Sequence, residues 1–152
     1  PSAPQIYDRA TYLDEWTGNE GDRYFGTSTR AGAKAAQEAG YVAEYRWTSG
    51  LTDGLDWILD HGPLIIGSLW YWDMLYPING AVSLTGGIAG AHAYLVYGAS
   101  VSAQKVFFLN SWGKDWGMNG RAFLTFNQFD QLLTTGEGCA AIEQFANPFG
   151  GT

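Results

Sequence analysis

The apolar positions change period partway along the chain, and that change orders the reading. From Pro4 onward Ile6, Ala10 and Leu13 fall on one helical face at i, i+4 and i+7, which predicts a first helix from Pro4 to Trp16. The polar, Gly-rich stretch Thr17–Gly26 ends it as a surface loop. Ser28 or Thr29 caps a second helix through Ala31, Ala35 and Ala39, with Gly40 as its stop. A third starts at Thr52, carries the stripe Leu55, Ile58 and Leu59, and closes at Gly62-Pro63. After Pro63 the helical period disappears. Leu64–Trp70 is a continuous apolar run, the pattern of a buried strand, and a Gly-punctuated segment from Pro77 to Gly90 leads to three further strands. These are His92–Gly98, Lys105–Asn110 and Arg121–Phe126, followed by a short helix capped by Asn127 through Phe129, Leu132 and Leu133. Helices first and strands second predict an α+β fold, read as one domain over 1–147, helical over 1–62 and antiparallel β over 63–147, with a loose tail at 148–152.

Composition narrows the partners. A hydrophobic share of 46% against 15% charged residues marks a globular chain, and 152 residues suffice for one compact core. The formal charge of −7 repels phosphate backbones, so nucleic acid is set aside as a partner. Seven Trp and nine Tyr exceed what an ordinary core needs, and the run Trp70-Tyr71-Trp72 with Met74 and Tyr76 is the candidate binding surface, with cleft wall or core as the equal alternative. No signal peptide or membrane-spanning stretch is legible, and the single cysteine, Cys139, excludes an intrachain disulfide. A cytoplasmic or virion-associated protein is expected. Pro1 fits either removal of an initiator Met or a cut from a longer precursor. No cofactor motif appears, and His61 and His92 stand too far apart, with no cysteine or acidic cluster at ligand spacing, to suggest a metal. His61 reads as a helix C-terminal residue interacting with the dipole.

His92 and Asn110 are the candidate chemical pair. A symmetric hairpin folded about Val101, midway between them, sets the two directly across from each other, with Cβ atoms about 4.5–5.5 Å apart. An Asn carbonyl accepting from one ring nitrogen fixes the imidazole and leaves the other nitrogen as a base. A one-residue bulge breaks that register. Periodicity alone favours the plainer reading, a His that starts a strand and satisfies a local polar group.

Gly90-Ala91-His92-Ala93, Asn110-Ser111-Trp112-Gly113, Trp116-Gly117 and Asn119-Gly120 together resemble the papain-like (C1) cysteine peptidases. His61-Gly62-Pro63 before an apolar strand resembles that family's G-P segment, and Gly138-Cys139-Ala140 its late structural Cys element. Gly26-Thr27-Ser28 with Gly32-Ala33-Lys34 is similar to longer C1-like proteins of bacteria and their phages. The resemblance spans roughly Gly26 to Cys139 and implies a papain-like fold that is N-terminally truncated. It implies His92 as base and proton donor, Asn110 as its orienting partner and Trp112 as a shield over their hydrogen bond.

The family's nucleophilic Cys, on a helix preceded by an oxyanion-hole Gln, has no counterpart here. The one thiol, Cys139, lies in an unsuitable context and reads as buried and inert. Three functions stay open. The first is a degenerate peptidase domain acting as a binding or structural component of an assembly such as a phage particle. The second is one chain of a split or processed cysteine peptidase whose partner segment supplies Gln and Cys. The third is an unrelated α+β ligand-binding module. A fold missing its central helix also implies a protein partner or self-association to cover apolar surface.

Overall fold

A computed structural model describes the backbone of residues 1–15, 26–48 and 50–143. The expected loop over Thr17–Gly26 falls, up to Phe25, outside the described residues, as does the tail at 148–152. The chain divides into two compact units, one formed by Pro1–Arg46 with the chain's end from Ala141, the other by Trp47–Ala140.

The first unit holds α1 (Ala3–Leu13) and α2 (Thr29–Glu38). Gln5 Oε1 accepts from the backbone nitrogen of Ser2, the α1 N-cap, at 2.7 Å. Ser28 Oγ accepts from Ala31 N at 3.1 Å and caps α2, one of the two expected caps. The helices meet through small residues, Ala10 against Ala31 and Ala35, with Ile6 and Leu13 at the margin. Arg9 grips Glu38 with two nitrogens at 2.6 and 3.1 Å. β1 (Val42–Thr48) follows, a strand with no expectation behind it, because its burial pattern does not alternate.

The second unit carries α3 (Leu51–Asp60), β2 (Leu64–Tyr71), a 3-10 turn (Trp72–Leu75), β3 (Ile88–Ser100), β4 (Lys105–Leu109), β5 (Arg121–Thr125), α4 (Phe126–Thr135) and the start of β6 (Glu137–Glu143). Within this unit the strands follow the order β6-β2-β3-β4-β5, and the β6–β2, β2–β3, β3–β4 and β4–β5 pairings are antiparallel. α3 packs within this unit against β2, β3 and α4. Leu64 and Ile66 of β2, Val96 of β3, Val106 and Phe108 of β4 and Leu124 of β5 form the core face, closed by Ile58 of α3 and Phe129, Leu132 and Leu133 of α4.

Several boundaries differ from expectation for physical reasons. α3 begins at Leu51, whose N–H donates to Asp130 Oδ1 of α4 at 3.1 Å, so a tertiary carboxylate supplies the cap expected from Thr52. Leu59 is half exposed, and Gly54 lies on the buried face instead, where a Cβ would stand only 3.1 Å from the Phe129 ring. α4 is capped by Thr125, whose Oγ1 accepts from Gln128 N at 3.3 Å, two residues before the expected Asn127.

Candidate active site

β3 and β4 are joined by a turn over Val101–Gln104, not by a symmetric hairpin about Val101. Ser100 pairs with Lys105, Ala99 with Val106 and Gly98 with Phe107, and then Tyr97 is passed over so that Val96 pairs with Phe108 and Leu95 with Leu109. This bulge corrects the expectation that His92 and Asn110 stand directly opposite, and it also rescues their proximity. Side chains alternate faces along a strand. Ala99 packs on the core; without the extra residue, the core face of β3 would continue through Tyr97, Leu95 and Ala93. The bulge switches that face to Val96, Tyr94 and His92, the side occupied by Phe108 and, two residues on, Asn110. His92 and Asn110 are therefore diagonal neighbours on one face, and the direct partner of His92 is Ser68 on β2.

His92 Nε2 lies 2.8 Å from Asn110 Oδ1. The same Oδ1 accepts the Ser111 N–H at 2.7 Å, so it is an oxygen and the ring nitrogen facing it is the donor. That assigns the neutral imidazole as the Nε2–H tautomer and leaves the lone pair on Nδ1. Asn110 is 6% exposed, and its Nδ2 is buried without a hydrogen-bond partner among the described residues. His92 is half-buried. Burial holds its pKa below the ordinary 6.5, and the hydrogen bond to Asn110 opposes that shift.

Aromatic rings surround the imidazole. Trp70 presents an edge-on ring at 4.8 Å and Trp112 a tilted one at 4.7 Å, while Trp70 and Trp112 are 5.2 Å apart. Trp116 completes the cluster 5.9 Å from Trp112 and 6.1 Å from Trp70. Each such pair contributes about 0.5–1.5 kcal/mol beyond area burial, enough to hold a ring in place. Tyr94 lies beside His92 and shares a buried 3.0 Å hydrogen bond with Ser68. Burial drives its pKa upward, so it stays a neutral phenol. Ser68 and Tyr94 escaped the sequence reading because their importance depends on the β2–β3 register, which no local signal encodes.

The expected binding surface divides. Trp70 is 2% exposed and Met74 is fully buried, so both belong to the core, and Tyr71 is half-buried. Only Trp72 and Tyr76 stand in solvent. The alternation of β2 buries Trp70, and the 3-10 turn then folds Met74 inward. Cys139 sits within β6 paired with Ile65 and is 1% exposed. Burial and the charge of Glu137 push its thiol up to about 11, the opposite of what a nucleophile needs. Among the described residues no group of three or more His, Cys, Asp or Glu could hold a metal ion, and no helix is long and apolar enough to cross a membrane.

No family model and no curated protein matches the sequence. Solved structures do match. Xylellain, a cysteine protease from Xylella fastidiosa, superposes with a TM-score of 0.59 at 19% identity, covering 78% of this chain and 46% of its own. Procathepsin B S9 from Trypanosoma congolense gives 0.54 at 20% identity, covering 68% of this chain and 37% of its own. The chain thus spans less than half the length of either. What they share with it is architecture: this chain has the α+β fold of the papain-like cysteine proteases.

Proposed function

We propose that this chain supplies the general base and its orienting amide to a papain-like cysteine peptidase. The nucleophilic thiol and an oxyanion-hole donor would come from a segment not among these 152 residues. The observation that carries the reading is the His92–Asn110 hydrogen bond and the tautomer it assigns. Oδ1 of Asn110 takes Nε2–H of His92, so Nδ1 is left as the one basic atom of the ring. Packing alone gives no reason for this arrangement, since it leaves Asn110 Nδ2 buried and unpaired, a cost of about 1–3 kcal/mol. In the reaction, Nδ1 takes the proton of an incoming thiol as sulfur attacks the peptide carbonyl carbon. It returns that proton to the leaving amine as the C–N bond breaks, leaving a thioester. His92 then takes a proton from water as the water oxygen attacks the thioester carbon, and passes it to the departing sulfur as the C–S bond breaks, which releases the acid and restores the thiol. The imidazolium formed in between is stabilised by Asn110, and Trp112 limits water around their bond.

A second reading has its own support: the one thiol present is buried and its pKa is raised, so the fold could serve as a binding or structural part of an assembly, a phage particle included. A thiol-directed peptidyl electrophile applied to native material, with the labelled residue located by mass spectrometry, separates the two. The peptidase reading expects labelling of a cysteine outside this chain, lost when His92 is replaced by Ala. A complex that contains such a cysteine and labels equally with His92→Ala would sink it, and a native complex free of any such cysteine would favour the binding role.

A further inference from the structure

A pocket of about 490 Å3 lies beside the active-site loop, lined by Leu109, Asn110, Lys114, Asn119 and Arg121 among others. That volume suits a ligand larger than a single ion. Its chemistry is unusual for this molecule. The unit Trp47–Ala140 contains three cations, Lys105, Lys114 and Arg121, against seven carboxylates. Two of the three cations line this one pocket. Lys105 is occupied elsewhere, with its nitrogen 3.9 Å from the ring centre of Phe123. Neither Lys114 nor Arg121 forms an ion pair with any described residue. Asn119 adds an amide, and Asn110, which also lines the pocket, carries the buried Nδ2 that has no hydrogen-bond partner among the described residues. Leu109, 39% exposed, gives the same space an aliphatic wall.

We propose that this pocket binds a carboxylate carried on a peptide, with a glutamate side chain as the best fit. Guanidinium and ammonium donors supply the charge, Arg121 offers a two-pronged geometry matched to a planar carboxylate, and Leu109 receives the methylenes. A compact inorganic anion would leave the apolar wall and most of the volume unused. Backbone shape supports access: Gly113 and Gly120 have φ of 86° and 81°, and a Cβ at Gly113 would meet nothing within 4 Å, so that wall is open. Asp115, next to Lys114, is the acid that opposes binding. The inference is independent of the peptidase reading, since it needs neither thiol nor base.

The test is amide NMR of the folded chain titrated with a short blocked peptide bearing a central Glu, with its Gln counterpart, and with inorganic phosphate. The expected result is saturable shifts at Lys114, Asn119, Gly120 and Arg121 with the Glu peptide, and affinity about tenfold weaker for the Gln peptide. The double variant K114Q/R121Q should lose about tenfold or more, and Asp115→Asn should tighten binding about twofold. Equal affinity for the two peptides, phosphate binding as tightly as the Glu peptide, or unchanged affinity in a K114Q/R121Q protein whose remaining spectrum is intact would each overturn the proposal.

Discussion

The Oδ1 of Asn110 takes protons from two directions, the Ser111 backbone amide at 2.7 Å and His92 Nε2 at 2.8 Å, and together they leave no freedom for the amide to flip. The backbone N–H therefore acts on the imidazole through a single oxygen. Replacing that amide by a carboxylate keeps the shape and adds a charge beside the ring. Asn110→Asp should raise the His92 pKa from below the ordinary value to above about 6.5, because an adjacent anion favours the imidazolium. A proton–nitrogen NMR titration of the ring reads this directly; a His92 pKa that stays depressed in Asn110→Asp would mean the two groups do not meet as described. Trp112 is 43% exposed, so its cover over the pair is partial, and the fully buried side of the cage is Trp70.

At the scale of elements, the loop from Asn110 to Gly120 connects β4 to β5 and sets the height of Asn110, whose N–H donates to Gly120 O at 2.9 Å. Its glycines are not equivalent. Gly113 has a φ of 86° with open space around it, whereas Gly117 has a φ of 57° and a Cβ there would collide with the Arg121 carbonyl oxygen. Gly113→Ala should cost about 1–2 kcal/mol, the left-handed penalty alone. Gly117→Ala should cost clearly more, about 3 kcal/mol or above, because backbone must move. Urea unfolding of the two variants checks the order, and equal losses would show that the loop relaxes freely. The same loop illustrates what the sequence could reveal. Its Asn-Ser-Trp-Gly and Trp-Gly runs stand in a contiguous stretch and point to the site, and the four strands after Pro63 follow from alternation and apolar runs. β1 is not legible because it does not alternate cleanly, and β6 because it depends on β2, a partner distant in sequence. The hairpin register differs from expectation because a bulge leaves no mark in composition: Tyr97 is ordinary in every respect except the ladder position it skips. The Asp130 cap of α3 was missed for a related reason, since 79 residues separate donor and acceptor.

For the whole molecule, acidity should act in two separate windows, each belonging to one unit. His92 has a folded pKa below its unfolded value, so its contribution is complete above about pH 6.5 and declines as pH falls from there to the folded pKa, where the unfolded chain binds the extra proton first. Glu15 and Glu38, paired with Lys34 and Arg9, have carboxyl pKa values lowered below 4.5, so their contribution is present above that pH and disappears as pH falls through the folded values. A stability profile across pH 3–8 should therefore show two declines, and His92→Gln should remove the upper one while leaving the lower. Persistence of both in His92→Gln would assign the upper decline to another group. The buried Cys139 in β6 has a practical consequence of a different kind. With its thiol sealed and its pKa near 11, the chain behaves as a cysteine-free background without any substitution. A cysteine introduced at an exposed site such as Val101 would be the one handle that accepts a fluorophore or spin label at neutral pH, so distances to any assembled partner can be measured on the otherwise unaltered chain.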